Sequence, residues 1–124
     1  DSAKVIWEWH VWDHLVQDFD PSRNNYGSVG DHPERMDINY LGISQGADDW
    51  LHANTVSYNP VRDEIAITFR ETSEFVVIDH STTTAEASGT TGGNRGKGGD
   101  FIYRWGNPEA YRRGTGADRR RYCR

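Results

Sequence analysis

The stretch Val56-Ser57-Tyr58-Asn59-Pro60-Val61-Arg62-Asp63-Glu64-Ile65-Ala66-Ile67-Thr68-Phe69 decides the fold. Two short runs of strand-forming residues flank Asn59-Pro60-Val61-Arg62-Asp63, a segment of turn formers, and this pattern predicts a β-hairpin. Pairing about Val61 sets Tyr58 opposite Glu64, and the same register carries His52 opposite Arg70. Directly opposed residues share a face, with Cβ atoms about 5 Å apart. An imidazole and a guanidinium side by side at the open end of a hairpin suit an anionic group such as sulfate, phosphate or carboxylate. A slip of one residue would turn one member of the pair to the other face, so the reading depends on register.

Further strands lie on both sides of the hairpin. Glu74-Phe75-Val76-Val77-Ile78-Asp79 is a short apolar run with charges at both ends. Val5-Ile6-Trp7-Glu8-Trp9 recurs as Phe101-Ile102-Tyr103-Arg104-Trp105: three apolar residues, a charge, then Trp. Both predict strands. Strands at 53–58, 64–70, 74–79 and 101–105 form a meander, one four-stranded blade of a β-propeller. Residues 5–9 read as the last strand of a preceding blade, 10–50 as an insertion, 52–105 as the blade with a loop at 81–99, and 106–124 as a basic tail. Even four blades need about 160–180 residues. The 124 residues therefore cannot close a ring, and the expected fold is all-β, a propeller fragment with long loop insertions.

Neither insertion carries a strong motif. Val11 to Gln17 has a helical look, with Val11 and Leu15 on one side, and runs into a loop from Asp18 to Gly27. Ser81 to Gly99 is Thr- and Gly-rich without periodicity and reads as a flexible loop. Its Gly92-Gly93-Asn94-Arg95-Gly96-Lys97-Gly98-Gly99 is near a phosphate loop but fails twice: Thr91 takes the first glycine position, and Gly98 replaces the hydroxyl residue after the lysine.

Composition narrows the partners. The formal charge of −5 and a hydrophobic fraction of 35% mark a soluble protein with a modest core. Thirteen glycines and five tryptophans suggest many turns with aromatic packing between them. No apolar segment is long enough to span a bilayer, and Asp1-Ser2-Ala3-Lys4 lacks the apolar core of a signal peptide. Arg104 to Arg124 holds seven bases against two acids, so the tail carries +5 and the first 103 residues −10. Arg119-Arg120-Arg121 has no aromatic stacking platform beside it, so a solvated terminus is expected and no nucleic-acid partner. The single Cys123 cannot form an intramolecular disulfide.

His10-Val11-Trp12-Asp13-His14 sets two histidines four apart, near the inverted zinc-protease pattern but with Asp13 in place of its Glu. No third ligand follows at a matching spacing, and no metal site is expected.

Taken together, Asp49-Trp50-Leu51-His52-Ala53-Asn54, the Tyr58-Asn59-Pro60 turn, Arg70, and Ser73-Glu74 running into Val77-Ile78-Asp79 resemble the arylsulfotransferase family. Trp7-Glu8-Trp9 and Tyr103-Arg104-Trp105-Gly106 are similar to its blade-ending strands. The resemblance implies a six-bladed propeller enzyme, periplasmic or secreted, that moves a sulfuryl group from a phenolic sulfate ester to a phenol. It implies no nucleotide sulfate donor and no cofactor. His52 and Arg70 match two active-site positions of the family. Asn54, two residues on from His52 and on the same face of a regular strand, is expected either to orient the sulfuryl group or to make a strand-end hydrogen bond. The family's transiently sulfated histidine has no match at His10, His14, His32 or His80, so the chain is expected to carry only part of the site. A non-catalytic propeller that binds without turnover is the competing expectation.

Overall fold

The computed structural model describes residues 2–40 and 49–115. A 3-10 turn at Val11–His14 leads into β1 (Leu15–Val16), and a second at Val29–Asp31 precedes β2 (Met36–Asp37). Then come β3 (Ala53–Asn59), β4 (Glu64–Phe69), β5 (Glu74–Asp79), the one-turn helix α1 (Thr84–Ala87), β6 (Tyr103–Trp105) and a 3-10 turn at Pro108–Tyr111. β3 to β6 form a four-stranded antiparallel sheet in chain order, while β1 and β2 pair in parallel. With helix limited to short turns among the described residues, the class is all-β.

The sheet is amphipathic because strand side chains alternate. Ile67 and Phe69 on β4 and Val76 and Ile78 on β5 turn to one side and are buried there. Leu15, Met36, Leu51 and Phe101 complete that core, with Trp7, Trp9 and Trp50 packed against it. Residues 10–40 are therefore a cap on one sheet face. Val11–His14 makes a single 3-10 turn where a longer helix was expected, because Leu15 and Val16 go on to pair with Met36 and Asp37.

The strand expected at 5–9 takes no ladder partner among the described residues. Its indoles anchor it instead: Trp7 Nε1 donates to Thr82 Oγ1 at 3.2 Å, and Trp9 Nε1 to the Gly99 carbonyl at 2.8 Å. The echoing segment does pair, Tyr103 opposite Val77 and Trp105 opposite Phe75.

Segment 81–99 is more ordered than its composition suggests. Thr83 and Glu86 form a reciprocal capping box at the start of α1, an arrangement that contributes about 1 kcal/mol. Asp79 Oδ1 accepts from the Ser81 amide at 3.0 Å, and Oδ2 from the Arg95 amide at 2.8 Å. The Thr83 amide, then the Thr83 hydroxyl, hold the Glu86 carboxyl below the usual carboxylate range. The protein's own carboxylates thus occupy amides that a phosphate would have needed.

Two buried polar contacts tie the layers together. His14 is fully buried, with Nδ1 2.7 Å from Asp100 Oδ1 and Nε2 2.8 Å from the Ala87 carbonyl. Arg104 on β6 grips Glu74 on β5 through Nε at 2.5 Å and Nη2 at 2.8 Å. The same guanidinium donates to the Pro33 and Arg35 carbonyls at 3.1 and 2.7 Å, which fastens the sheet to the cap.

Candidate active site at the open end of the hairpin

The hairpin register differs from the expected one and then returns to it. At the turn Asn59 pairs with Glu64 and Tyr58 with Ile65, one residue away from pairing about Val61. A β-bulge between Ala53 and Thr55 takes up the difference, so Ala53 pairs with Phe69. Beyond it, the Arg70 amide donates to the His52 carbonyl at 3.1 Å, and the Glu71 amide to the Leu51 carbonyl at 3.3 Å. His52 and Arg70 are therefore brought opposite each other. Bulges commonly occur beside sites, where they re-aim side chains.

The two side chains each engage a carboxylate of their own. The His52 imidazole contacts Asp49 through Nδ1, and the Asp49 Oδ1 also accepts the His52 amide at 3.1 Å. Because an ionised carboxylate only accepts, Nδ1 is the donating nitrogen, and Nε2 is left for another partner. His52 itself sits in the left-handed region at φ 48°, a conformation uncommon outside glycine and found often at functional sites. Arg70 Nη1 lies 3.5 Å from Glu71 Oε1, and its side chain is 64% exposed. Asn54 is the residue between the shifted pairs and is exposed. Regular alternation, which would have set it on the same side as His52, is broken there.

His52 lines a groove of about 470 Å³. Val56, Ile67 and Phe69 contribute from the sheet, Trp50 from the segment before His52, and His10 and Trp12 from the cap. The indoles of Trp12 and Trp50 stack with centroids 5.3 Å apart and planes 21° from parallel. Arg70 and Asn54 stand outside this lining.

The remaining histidines have structural partners. His32 Nδ1 lies 2.9 Å from Glu34 Oε1, and His10 Nε2 3.6 Å from Glu8. His80 Nδ1 is 2.7 Å from Asp63 Oδ1, and Tyr58 Oη donates to the same oxygen at 2.8 Å. Hydrogen bonds from His80 first and Tyr58 second hold the Asp63 carboxyl below its ordinary value. The zinc alternative at His10 and His14 fails on geometry, since both His14 ring nitrogens already face acceptors.

The family model described as Arylsulfotransferase (ASST) matches residues 1–86, which include His52, Asn54 and Arg70. The chain belongs to the arylsulfotransferase family. No curated protein and no solved structure matches it. Arylsulfotransferase-type chemistry is thus the function class in which the hairpin site is to be read. The match ends before β6, so Arg104 and the Gly99 carbonyl lie outside it.

Two residues at this candidate site were not anticipated from sequence. Asp49 carried a signal, an acid three residues before a histidine, the spacing of a side chain that closes a turn on a later amide. Trp12 carried none, because its approach to Trp50 depends on how residues 10–40 fold over the sheet.

Proposed function

We propose that this chain contributes part of the active site of an aryl-sulfate sulfotransferase, which moves a sulfuryl group from a phenolic sulfate ester to a phenol. The observation that carries the reading is the backbone pairing of His52 with Arg70 at the open end of the β3–β4 hairpin, within the matched region. In the transfer, the bond between sulfur and the donor's phenolic oxygen breaks, and a new sulfur–oxygen bond forms to the acceptor. Negative charge spreads over the three non-bridging oxygens and the departing phenolate. Arg70, released from Glu71, presents a planar fork of donors to those oxygens. His52 Nε2 hydrogen-bonds the same group or carries a proton to or from the phenolic oxygen, while Asp49 fixes the ring through Nδ1. Asn54, exposed at the bulge, supplies an amide that orients the sulfuryl group.

In this reading the four-stranded meander is a blade of a larger propeller, other blades supply the remaining site residues, and the protein works in the periplasm or outside the cell. Donor and acceptor are small phenolic molecules, and no cofactor is needed.

The test is acceptor-dependent release of a chromogenic phenol from its sulfate ester by the full-length protein. His52→Ala and Arg70→Ala are each expected to lower kcat/KM by about a hundredfold or more, with folding verified by circular dichroism. Absence of release from a folded protein across several sulfate esters would leave the non-catalytic binding module standing in its place.

A further inference from the structure

We infer that the closed end of the hairpin carries a second site, a cleft that binds the dianionic head of a small organic phosphate through Arg62, Arg95 and Lys97. The cleft lies at the opposite end of the sheet from His52 and Arg70, and the inference stands whether or not sulfuryl transfer takes place.

The cleft has a volume of about 530 Å³, within the range of small-molecule sites. Val77 and Tyr103, paired across β5 and β6, form one wall, and Ile102 adjoins them. This wall belongs to the sheet face turned away from the core, because Val76 and Ile78 point inward. Basic residues reach the cleft from two directions. Arg62 comes from the turn between β3 and β4, and Arg95 and Lys97 come from the glycine-rich segment. Arg95 is held at both ends: its amide donates to Asp79 Oδ2 at 2.8 Å, and its Nη2 to the buried Glu64 carboxylate. A guanidinium has five N–H donors, so one bond to Glu64 leaves others for a ligand. Gly96, left-handed at φ 70°, separates Arg95 from Lys97, and both of its neighbours line the same cleft. Arg62 and Lys97 are exposed and enter no ion pair among the described residues.

Charge and shape select the ligand. The three bases face one acid, Glu64, which leaves a surplus of two positive charges. A phosphate monoester carries about −1.5 to −2 near neutral pH and offers three acceptor oxygens, so it matches that surplus. A sulfate monoester, with a single negative charge, leaves half of it uncompensated. Val77, Ile102 and the Tyr103 ring add an apolar side that inorganic phosphate does not use, and an organic ester does.

The test is calorimetric titration of the full-length protein with propyl phosphate, propyl sulfate and inorganic phosphate, at low salt because exposed cations are readily screened. Propyl phosphate is expected to saturate. Propyl sulfate should bind about tenfold more weakly for its missing charge, and inorganic phosphate about fivefold more weakly for its missing chain. Arg62→Gln and Lys97→Gln should each weaken propyl phosphate by about fivefold, and together by about twentyfold. Both side chains are exposed, so these variants keep the fold, whereas removing Arg95 would strand the buried Glu64. His52→Ala should leave the affinity within about twofold of wild type. Failure of propyl phosphate to saturate, equal affinities for the two esters, or a double variant that binds like wild type would each overturn the site. So would a loss in His52→Ala as large as that in the double variant, because it would put the phosphate at the open end of the hairpin.

Discussion

Arg104→Met is expected to destabilise the protein by about 3–5 kcal/mol, a large part of the total stability of a domain this size. The reason is what the substitution leaves behind. Glu74 has a fully buried side chain, Arg104 is 6% exposed, and the two meet in a bidentate pair. Methionine fills much of the space but leaves the Glu74 carboxylate without its cation in a place that water does not reach. It also strands the Pro33 and Arg35 carbonyls and removes the charge that sits 4.4 Å from the Tyr111 ring centroid. Replacing both partners, Arg104→Met with Glu74→Leu, should recover much of the loss, since a buried pair exchanged for apolar residues of similar volume is often neutral. Urea denaturation of the single and double variants checks this. A double variant no more stable than Arg104→Met would show that the loss comes from the cap contacts and not from an orphaned carboxylate.

Gly99→Ala is expected to cost about 3 kcal/mol or more through overlap rather than through lost contacts. A methyl group at Gly99 would collide with the Ala87 carbonyl oxygen and with the buried His14 ring. Neither can yield easily. The Ala87 carbonyl is held by His14, and His14 is held by Asp100 and stacked under Trp9 at 5.5 Å. Gly89 is the internal control: its added methyl would meet nothing nearer than the Glu86 carbonyl at 3.5 Å, and Gly89→Ala should stay within about 1 kcal/mol of wild type. Thermal unfolding followed by near-ultraviolet circular dichroism separates the two. Equal melting temperatures for the two variants would mean that segment 81–99 gives way more readily than its hydrogen bonds suggest.

The sheet was legible in sequence where the signal is local. β3, β4 and β5 follow from alternating or apolar runs bounded by turn residues, and their observed bounds lie within a residue of those expected. Residues 5–9 show the limit of that signal. Their pattern equals that of 101–105, yet a strand is a relation between two segments, and only the later one finds a neighbour among the described residues. Segment 81–99 was opaque for another reason. Its order comes from Asp79 and Glu86 accepting particular amides, and nothing periodic in composition announces that.

The candidate site was legible in part. His52 and Arg70 were placed opposite each other by counting back from a turn, but the count assumed an unbroken ladder. The turn is in fact one residue out of that register, and the bulge cancels the discrepancy. The reading reached the right pair through two departures of opposite sign. Asp49 and Trp12 depend on side-chain direction and on the folding of the cap, which spacing along the chain does not encode.

The bulge has one more effect, on the parity of β3. In an unbroken strand, residues three apart face opposite sides of the sheet. Ala53 and Val56 are three apart, yet Ala53 pairs with Phe69 and Val56 with Ile67, and both partners belong to the core side. By admitting one unpaired position, Asn54 turns an odd interval into an even one and lays both small apolar side chains along a single floor. Without it, either the Val56–Ile67 pairing or the His52–Arg70 pairing could be set correctly, but not both. Asn54 thus acts as a phase shift that lets the Ala53–Val56 apolar surface and the His52–Arg70 backbone pairing coexist at one end of the hairpin.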